Sequence, residues 1–283
     1  MRVVVTGAAG QLGQDVLLEL ERKNHQAFGT DRQQLDITNE EAVIAYISEV
    51  KPDVILHCAA YTNVDGAEAN EETAYHINAA GTEYLAKAAK LNGAKMLLVS
   101  TDYVFDGTAT EPYEVDEPTK PLGAYGRTKL AGEQLLQKYL EQFFIVRTAW
   151  VFGVYGKNFV KTMIRLGKER GEIGVVYDQV GSPTYTVDLA QFMVQLMETD
   201  KYGIYHATNS GVCSWYEFAV EIFKQSDLNV KVNPLTSDQF PTPAARPKYS
   251  VLSKEKISEI GLTPLRDWKE ALAAYLKETT EKS

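Results

Sequence analysis

Three apolar positions in a row, Val3-Val4-Val5, run straight into the turn Gly7-Ala8-Ala9-Gly10. A short continuous apolar run stopped by glycine reads as a strand, here Arg2–Thr6. The period then changes. Leu12, Val16, Leu17 and Leu20 fall on one helical stripe across Gln11–Arg22. Gln26–Thr30 is the next strand. Thr38 with Glu41 three residues on predicts a capping box that opens a helix running to Val50. Asp53–His57 reads as a short buried strand, Glu72–Leu91 as one long helix, and Lys95–Ser100 and Phe143–Arg147 as further strands. Strand and helix alternating at this cadence predict an α/β chain, a Rossmann-type parallel sheet with helices on both faces.

After Arg147 the rhythm loosens. Asn158–Arg170 reads as a helix, Asp178–Thr186 as a polar stretch, Val187–Glu198 as a helix and Gly203–His206 as a short strand. Ser214 with Glu217 forms a second capping box, for a helix to Gln225. Asn233–Lys248 holds Pro234, Pro241, Pro243 and Pro247 and is expected to be irregular. A last helix covers Asp267–Lys277. This division predicts a nucleotide-binding domain over residues 1–150 and a smaller, mainly C-terminal substrate lobe over 151–283. Segments near 175–205 are expected to return to the main sheet.

Charge narrows the function classes. The chain has 29 basic and 38 acidic residues, a net of −9. That balance argues against broad binding to nucleic acid or to membrane surfaces. No apolar run reaches transmembrane length. Met1-Arg2-Val3-Val4-Val5 has the order of a short signal sequence, but the run ends at Thr6-Gly7, so none is expected. Cys58 and Cys213 suit a reduced, cytoplasmic protein without disulfides. His25, His57, His76 and His206 are scattered, with no metal-ligand spacing.

Gly7-Ala8-Ala9-Gly10-Gln11-Leu12-Gly13 follows a strand and opens a helix, which is where a dinucleotide pyrophosphate binds. The first glycine allows the tight turn, the second a close approach of backbone amides to phosphate, the third close helix–strand packing. Asp31 ends the second strand, where a carboxylate takes ribose hydroxyls; Arg32 beside it suits a 2′-phosphate. NAD and NADP both stay open. In Leu35-Asp36-Ile37, Asp36 is placed to meet the adenine amino group.

Two further segments end strands on the ligand side of such a sheet. In His57-Cys58-Ala59-Ala60-Tyr61-Thr62-Asn63-Val64-Asp65, the small residues 59 and 60 let a cofactor pass close to the backbone. In Ser100-Thr101-Asp102-Tyr103, Thr101 can hydrogen-bond a substrate oxygen. Downstream stands Tyr125-Gly126-Arg127-Thr128-Lys129. At this spacing a helix presents Tyr125 and Lys129 on one face. An ammonium beside a phenol is expected to lower the tyrosine pKa and ready it for proton transfer.

These blocks, in this order, resemble the extended short-chain dehydrogenases/reductases, and among them the dTDP-4-dehydrorhamnose reductase family. The likeness continues through Leu35-Asp36-Ile37-Thr38, Ala67-Glu68, Val104-Phe105-Asp106-Gly107, Arg147-Thr148-Ala149-Trp150-Val151-Phe152, Asp178-Gln179-x-Gly181-Ser182-Pro183-Thr184 and Pro241-Thr242-Pro243-Ala244-x-Arg246-Pro247. It implies that NADH or NADPH gives hydride to C4 of a dTDP-linked 4-keto-6-deoxyhexose, dTDP-4-dehydro-β-L-rhamnose or a related keto sugar. Tyr125 would donate the proton, Lys129 would tune Tyr125 and hold the nicotinamide ribose, and Thr101 would orient the oxyanion. The implied cofactor contacts fall on Gly7, Gly10, Gln11, Leu12, Asp31, Arg32, Asp36, Ile37, Ala59, Ala60, Tyr61, Val99, Tyr125 and Lys129. Those to the sugar nucleotide fall on Thr62, Val64, Thr101, Asp102, Tyr125, Trp150 and Arg246. Trp150 offers a flat apolar face to a deoxyhexose or a filling for the core. Arg246 suits the pyrophosphate as a bidentate clasp, or a surface ion pair.

The resembling dehydratases place a glutamate after the aspartate of the Thr-Asp pair, as an elimination base. Tyr103 stands there, which favours reduction. Some reductases of the family are described as bridging two subunits through magnesium. One carboxylate expected for that site aligns with Val187, next to Asp188, so no metal is expected, and the chain is read as a monomer or homodimer. Two other readings rest on the same resemblance. One is a regulatory subunit like that of methionine adenosyltransferase, the other an epimerase or dehydratase.

Overall fold

Val3, Val4 and Val5 are fully buried and alternate between two separate cores, with Val3 and Val5 in one and Val4 in the other. Their strand, β1 (Arg2–Thr6), is therefore interior to its sheet. In the computed structural model, which describes residues 1–281, it is followed by α1 (Gln11–Arg22), β2 (Gln26–Thr30), α2 (Glu40–Val50) and β3 (Val54–His57). Next come α3 (Val64–Ala69), α4 (Glu71–Tyr75), a π-helical turn (His76–Ala80), α5 (Gly81–Asn92), β4 (Lys95–Thr101), α6 (Ala124–Tyr139) and β5 (Phe143–Thr148). The second half holds β6 (Val151–Phe152), α7 (Phe159–Arg170), β7 (Glu172–Val176), β8 (Val180–Gly181), β9 (Thr184–Tyr185), α8 (Thr186–Met197) and β10 (Gly203–His206). It closes with β11 (Cys213–Ser214), α9 (Trp215–Gln225), β12 (Lys231–Leu235), α10 (Glu255–Glu259) and α11 (Trp268–Glu281).

The main sheet has the order β10-β5-β4-β3-β1-β2, all parallel. One face carries α1 and α8, the other α2, α5 and α6, so each face buries its own core. Strand order reverses between β1 and β3, and the crevice above that reversal is where an open parallel sheet receives ligands. A separate core of Phe152, Tyr185, Phe218, Trp268 and Tyr275 underlies the elements outside the sheet.

Three local expectations are corrected. Asn39, not Thr38, caps α2: its side chain accepts from Ala42 N, while Thr38 Oγ1 donates to Asp36 Oδ1 at 2.7 Å. The nearer carboxylate had already engaged the threonine. The predicted helix 72–91 is broken by the π turn at His76–Ala80. That turn points Asn78 out of helical register, so its side chain accepts from Tyr61 N at 2.8 Å and donates to Thr128 Oγ1 at 3.0 Å. Gly132 admits the close contact, since a Cβ there would meet Asn78 O at 2.3 Å. The helix bearing Tyr125 and Lys129 is thereby fixed to the loop after β3, a use typical of π turns. Lastly, the proline-rich segment is not irregular from its start. Asn233, Pro234 and Leu235 pair with β7 in a two-stranded parallel sheet, and edge strands tolerate proline.

Candidate active site

Above the sheet reversal lies a cleft of about 1030 Å³, walled by the ends of β1 to β5 and by the loop after β6. Its first wall is the glycine turn. Gly7 has φ +69°, and an added Cβ would lie 2.7 Å from Ala59 N. A Cβ on Gly13 would lie 2.2 Å from Gly7 O. No side chain caps α1 at Gly10 and its first turn carries no acidic residue. The positive end of the helix is left for an anion. Such a cradle fits a dinucleotide pyrophosphate.

The adenosine side of the cleft holds Asp31, Arg32, Asp36 and Ile37. Asp31 Oδ1 accepts from Gln33 N and Gln34 N, at 2.8 and 3.1 Å. Asp36 Oδ1 accepts from Thr38 N and Oγ1, which holds its carboxyl below the usual carboxylate range. Gln11 does not turn into open space. It donates to Val151 O at 3.3 Å and accepts from Asn158 Nδ2 at 2.8 Å, tying the glycine turn to the loop after β6.

At the other end Thr101, Asp102, Tyr103, Tyr125 and Lys129 converge with Trp150. Thr101 Oγ1 donates to Asp102 Oδ1 at 3.0 Å. Tyr103 stands edge-on to Tyr125, with ring centroids 5.5 Å apart. Asp102 is almost wholly buried, and burial pushes its carboxyl up to about 6 despite bonds from Ser250 and Thr101.

The expected lowering of the Tyr125 pKa is not found. Burial pushes its phenol up to about 12; the neighbouring Thr101 hydroxyl offsets part of this, and Asp102 adds in the upward direction. Lys129 is buried as well; desolvation pushes it down to about 8, and its Nζ donates to Val99 O at 2.7 Å rather than to the phenol. In this geometry Tyr125 is a protonated phenol at neutral pH. That is the form a proton donor needs.

Trp150 has φ +48°, a conformation uncommon for a bulky residue. It is held there by Thr184, whose N donates to Trp150 O at 3.1 Å and whose Oγ1 donates to Ala149 O at 2.7 Å. The indole stacks on Trp215, with centroids 3.6 Å apart, and lies over Gly181, where a Cβ would come within 2.8 Å of it. Half-buried, Trp150 also lines the cleft.

Of the residues predicted for the site, Gly7, Gly10, Gln11, Leu12, Asp31, Arg32, Asp36, Ile37, Ala59, Ala60, Thr62, Val64, Val99, Thr101, Asp102, Tyr125, Lys129 and Trp150 all line this one cleft. Tyr61 and Arg246 do not. Tyr61 is held by Asn78 and packs against the small core of Ala67, Ala74 and Ala124 that Tyr125 also covers. Arg246 Nη2 pairs with Asp65 Oδ2 at 2.9 Å, and Ala244 N donates to the other Asp65 oxygen. Gly156 and Lys157 line the cleft without having been anticipated. Their position follows from the Gln11–Asn158 contact across 147 residues, for which the sequence has no signal.

The residues near the expected magnesium position do not fit a bridging ion. Val187 offers no donor, and Asp188 has both oxygens occupied, by Arg266 Nη2 at 2.8 Å, Arg266 Nε at 2.9 Å and Asn209 Nδ2 at 2.7 Å.

Residues 1–281 match the family described as RmlD substrate binding domain. The dTDP-4-dehydrorhamnose reductase of Aggregatibacter actinomycetemcomitans is 44% identical over 96% of this chain and 97% of its own length. The chain belongs to the dTDP-4-dehydrorhamnose reductase family. Solved members of the family superpose closely. The reductase of Clostridium acetobutylicum has a TM-score of 0.97 at 48% identity, over 99% of this chain and 100% of that one. The reductase of Bacillus anthracis, solved with NADP, has a TM-score of 0.96 at 46% identity, over 98% and 99%. With these members the chain shares the Rossmann-type sheet and the elements outside it, over 98% or more of its length.

Proposed function

We propose that this chain reduces the C4 carbonyl of dTDP-4-dehydro-β-L-rhamnose to give dTDP-L-rhamnose, a nucleotide sugar for cell-surface polysaccharide, using NADPH or NADH. The observation that carries the reading is one continuous cleft with an anion-binding helix end at one side and Thr101, Tyr125 and Lys129 at the other. When bound, the nicotinamide supplies hydride to C4. Tyr125, protonated in its buried setting, gives its proton to the carbonyl oxygen. Thr101, which lines the cleft beside Tyr125, holds that oxygen. Lys129 stabilises the phenolate left behind and holds the nicotinamide ribose. Trp150 meets the deoxyhexose.

Under this reading residues 1–150 with β10 hold the cofactor and the remaining C-terminal lobe holds the sugar nucleotide. Arg246 would leave Asp65 to meet the pyrophosphate. We read the protein as a monomer or a homodimer. Among the described residues no helix is long and apolar enough to cross a membrane, and both cysteines are unpaired; we assign the protein to the cytoplasm. The decisive test is the consumption of NADPH or NADH by the purified protein with dTDP-4-dehydro-β-L-rhamnose. No consumption with either cofactor sinks the reading, and retention of tightly bound NAD through gel filtration would favour an epimerase.

Arg32 lines the adenosine end of the cleft beside an Asp31 oxygen that backbone amides already occupy. This arrangement suits a 2′-phosphate. Arg32→Ala is expected to raise KM for NADPH roughly tenfold, about 1.4 kcal/mol, and to leave KM for NADH unchanged. Equal effects on both cofactors would remove Arg32 from 2′-phosphate recognition.

A further inference from the structure

Beneath the cleft floor lies a buried ionic network that the proposed reaction does not use. Glu133, one turn beyond Lys129 on α6, is fully buried, and Arg147 on β5 is 3% exposed. Arg147 donates to Glu133 through Nη2 at 2.7 Å and Nε at 3.0 Å. Ser100 Oγ donates to Glu133 Oε1 at 2.5 Å. Arg147 Nη1 also donates to Val115 O at 3.2 Å and lies 3.4 Å from His206 Nε2. Ser100, Arg147 and His206 are register partners across β4, β5 and β10. One carboxylate thus ties α6 to the strand ends that lead directly into Thr101 and into Thr148-Ala149-Trp150.

Taking two charges out of water is costly, and an apolar pair of similar shape would hold the strands at least as well. Charge at this spot calls for another reason, and Lys129 supplies one. It is almost wholly buried, and its Nζ donates to a neutral carbonyl. Glu133 faces it from its own helix. From β3 and the residue after it come His57 and Cys58, both kept neutral, the imidazole pushed down to about 3 and the thiol pushed up to about 12 by burial. Tyr125, one turn earlier on α6, is a neutral phenol. Among these neighbours Glu133, ion-paired with Arg147, is the group whose charge draws the Lys129 pKa upward against desolvation.

We propose that Glu133, paired with Arg147, is a positioning residue: its charge keeps buried Lys129 protonated, and its bond to Ser100 fixes Thr101 beneath the reacting carbonyl. The proposal rests on the reductase reading of Tyr125 and Lys129, and its test reads Lys129 without turnover. In protein labelled with [13Cε]lysine, the Lys129 signal is assigned by its loss in Lys129→Met and followed by NMR against pH. Glu133→Gln keeps the shape and removes the charge. The Lys129 midpoint is expected to fall by about one pH unit, a tenfold loss of proton affinity. The alkaline loss of kcat moves to lower pH by the same amount, since the charged form is then confined to more acid conditions. Glu133→Asp, which keeps the charge, returns the midpoint toward wild type. Should Glu133→Gln not fold with Arg147 left unpaired, Glu133→Gln with Arg147→Met is expected to fold and show the same downward shift. A folded Gln-containing variant whose Lys129 titrates as in wild type overturns the proposal, as does an Asp variant that shifts as far as Gln. Absent turnover in the wild type would instead count against the reductase reading and leave the NMR result standing.

Discussion

Tyr125→Phe loses roughly two to four powers of ten in kcat, the usual size of a general-acid contribution, while its NADPH affinity stays near wild type. The ring remains to pack against Ala67, Ala74 and Ala124 and edge-on to Tyr103; only the hydroxyl goes. That hydroxyl is the group Thr101 reaches, and burial keeps it protonated at neutral pH. Tyr103 and Asp102 line the same wall, but Tyr125 is the hydroxyl that shares a helix face with Lys129 and stands beside Thr101. Single-turnover NADPH oxidation, with circular dichroism to check folding, measures the effect. A Phe variant within a factor of a few of wild type would remove Tyr125 from the reaction.

Gly13→Ala lowers NADPH affinity by roughly a hundredfold, about 2.8 kcal/mol. The added Cβ would stand 2.2 Å from Gly7 O and 2.8 Å from Ala8 Cα, both backbone. No side chain can swing aside to relieve this, so the turn itself must move. Moving it displaces the first amides of α1, which gather an anion only while they point together. β1 and its buried valines lie below the turn and should keep the fold. Fluorescence titration of NADPH into the folded variant reads the loss. An unchanged affinity would show that this helix end does not carry the cofactor.

The two expectations differ in how far they were legible from the chain. The glycine turn was readable almost completely, because Gly7, Gly10 and Gly13 act within a span of seven residues that has one physically allowed shape. The Tyr125–Lys129 pair was readable as a spacing, and its electrostatics were not. A lysine four residues from a tyrosine suggested a lowered phenol pKa, but the tertiary setting turned Lys129 toward Val99 O and buried the phenol. The helix cap at residue 39 and the π turn at 76–80 escaped for a related reason. Each is decided by one side chain choosing between nearby partners, Thr38 for Asp36 and Asn78 for Tyr61 and Thr128.

Local pattern along the chain was enough for the alternation of strand and helix, the six strands of the main sheet, the anion-binding turn and the residue types at each strand end. These depend on periodicity and on short-range geometry, which neighbouring residues impose on one another. The long-range partners those residues take came from folding alone. It paired Gln11 with Asn158, stacked Trp150 on Trp215, gave Arg246 to Asp65 and set Glu133 between Ser100 and Arg147. Each of these contacts joins segments that only folding brings together, and its strength comes from burial that no local pattern records.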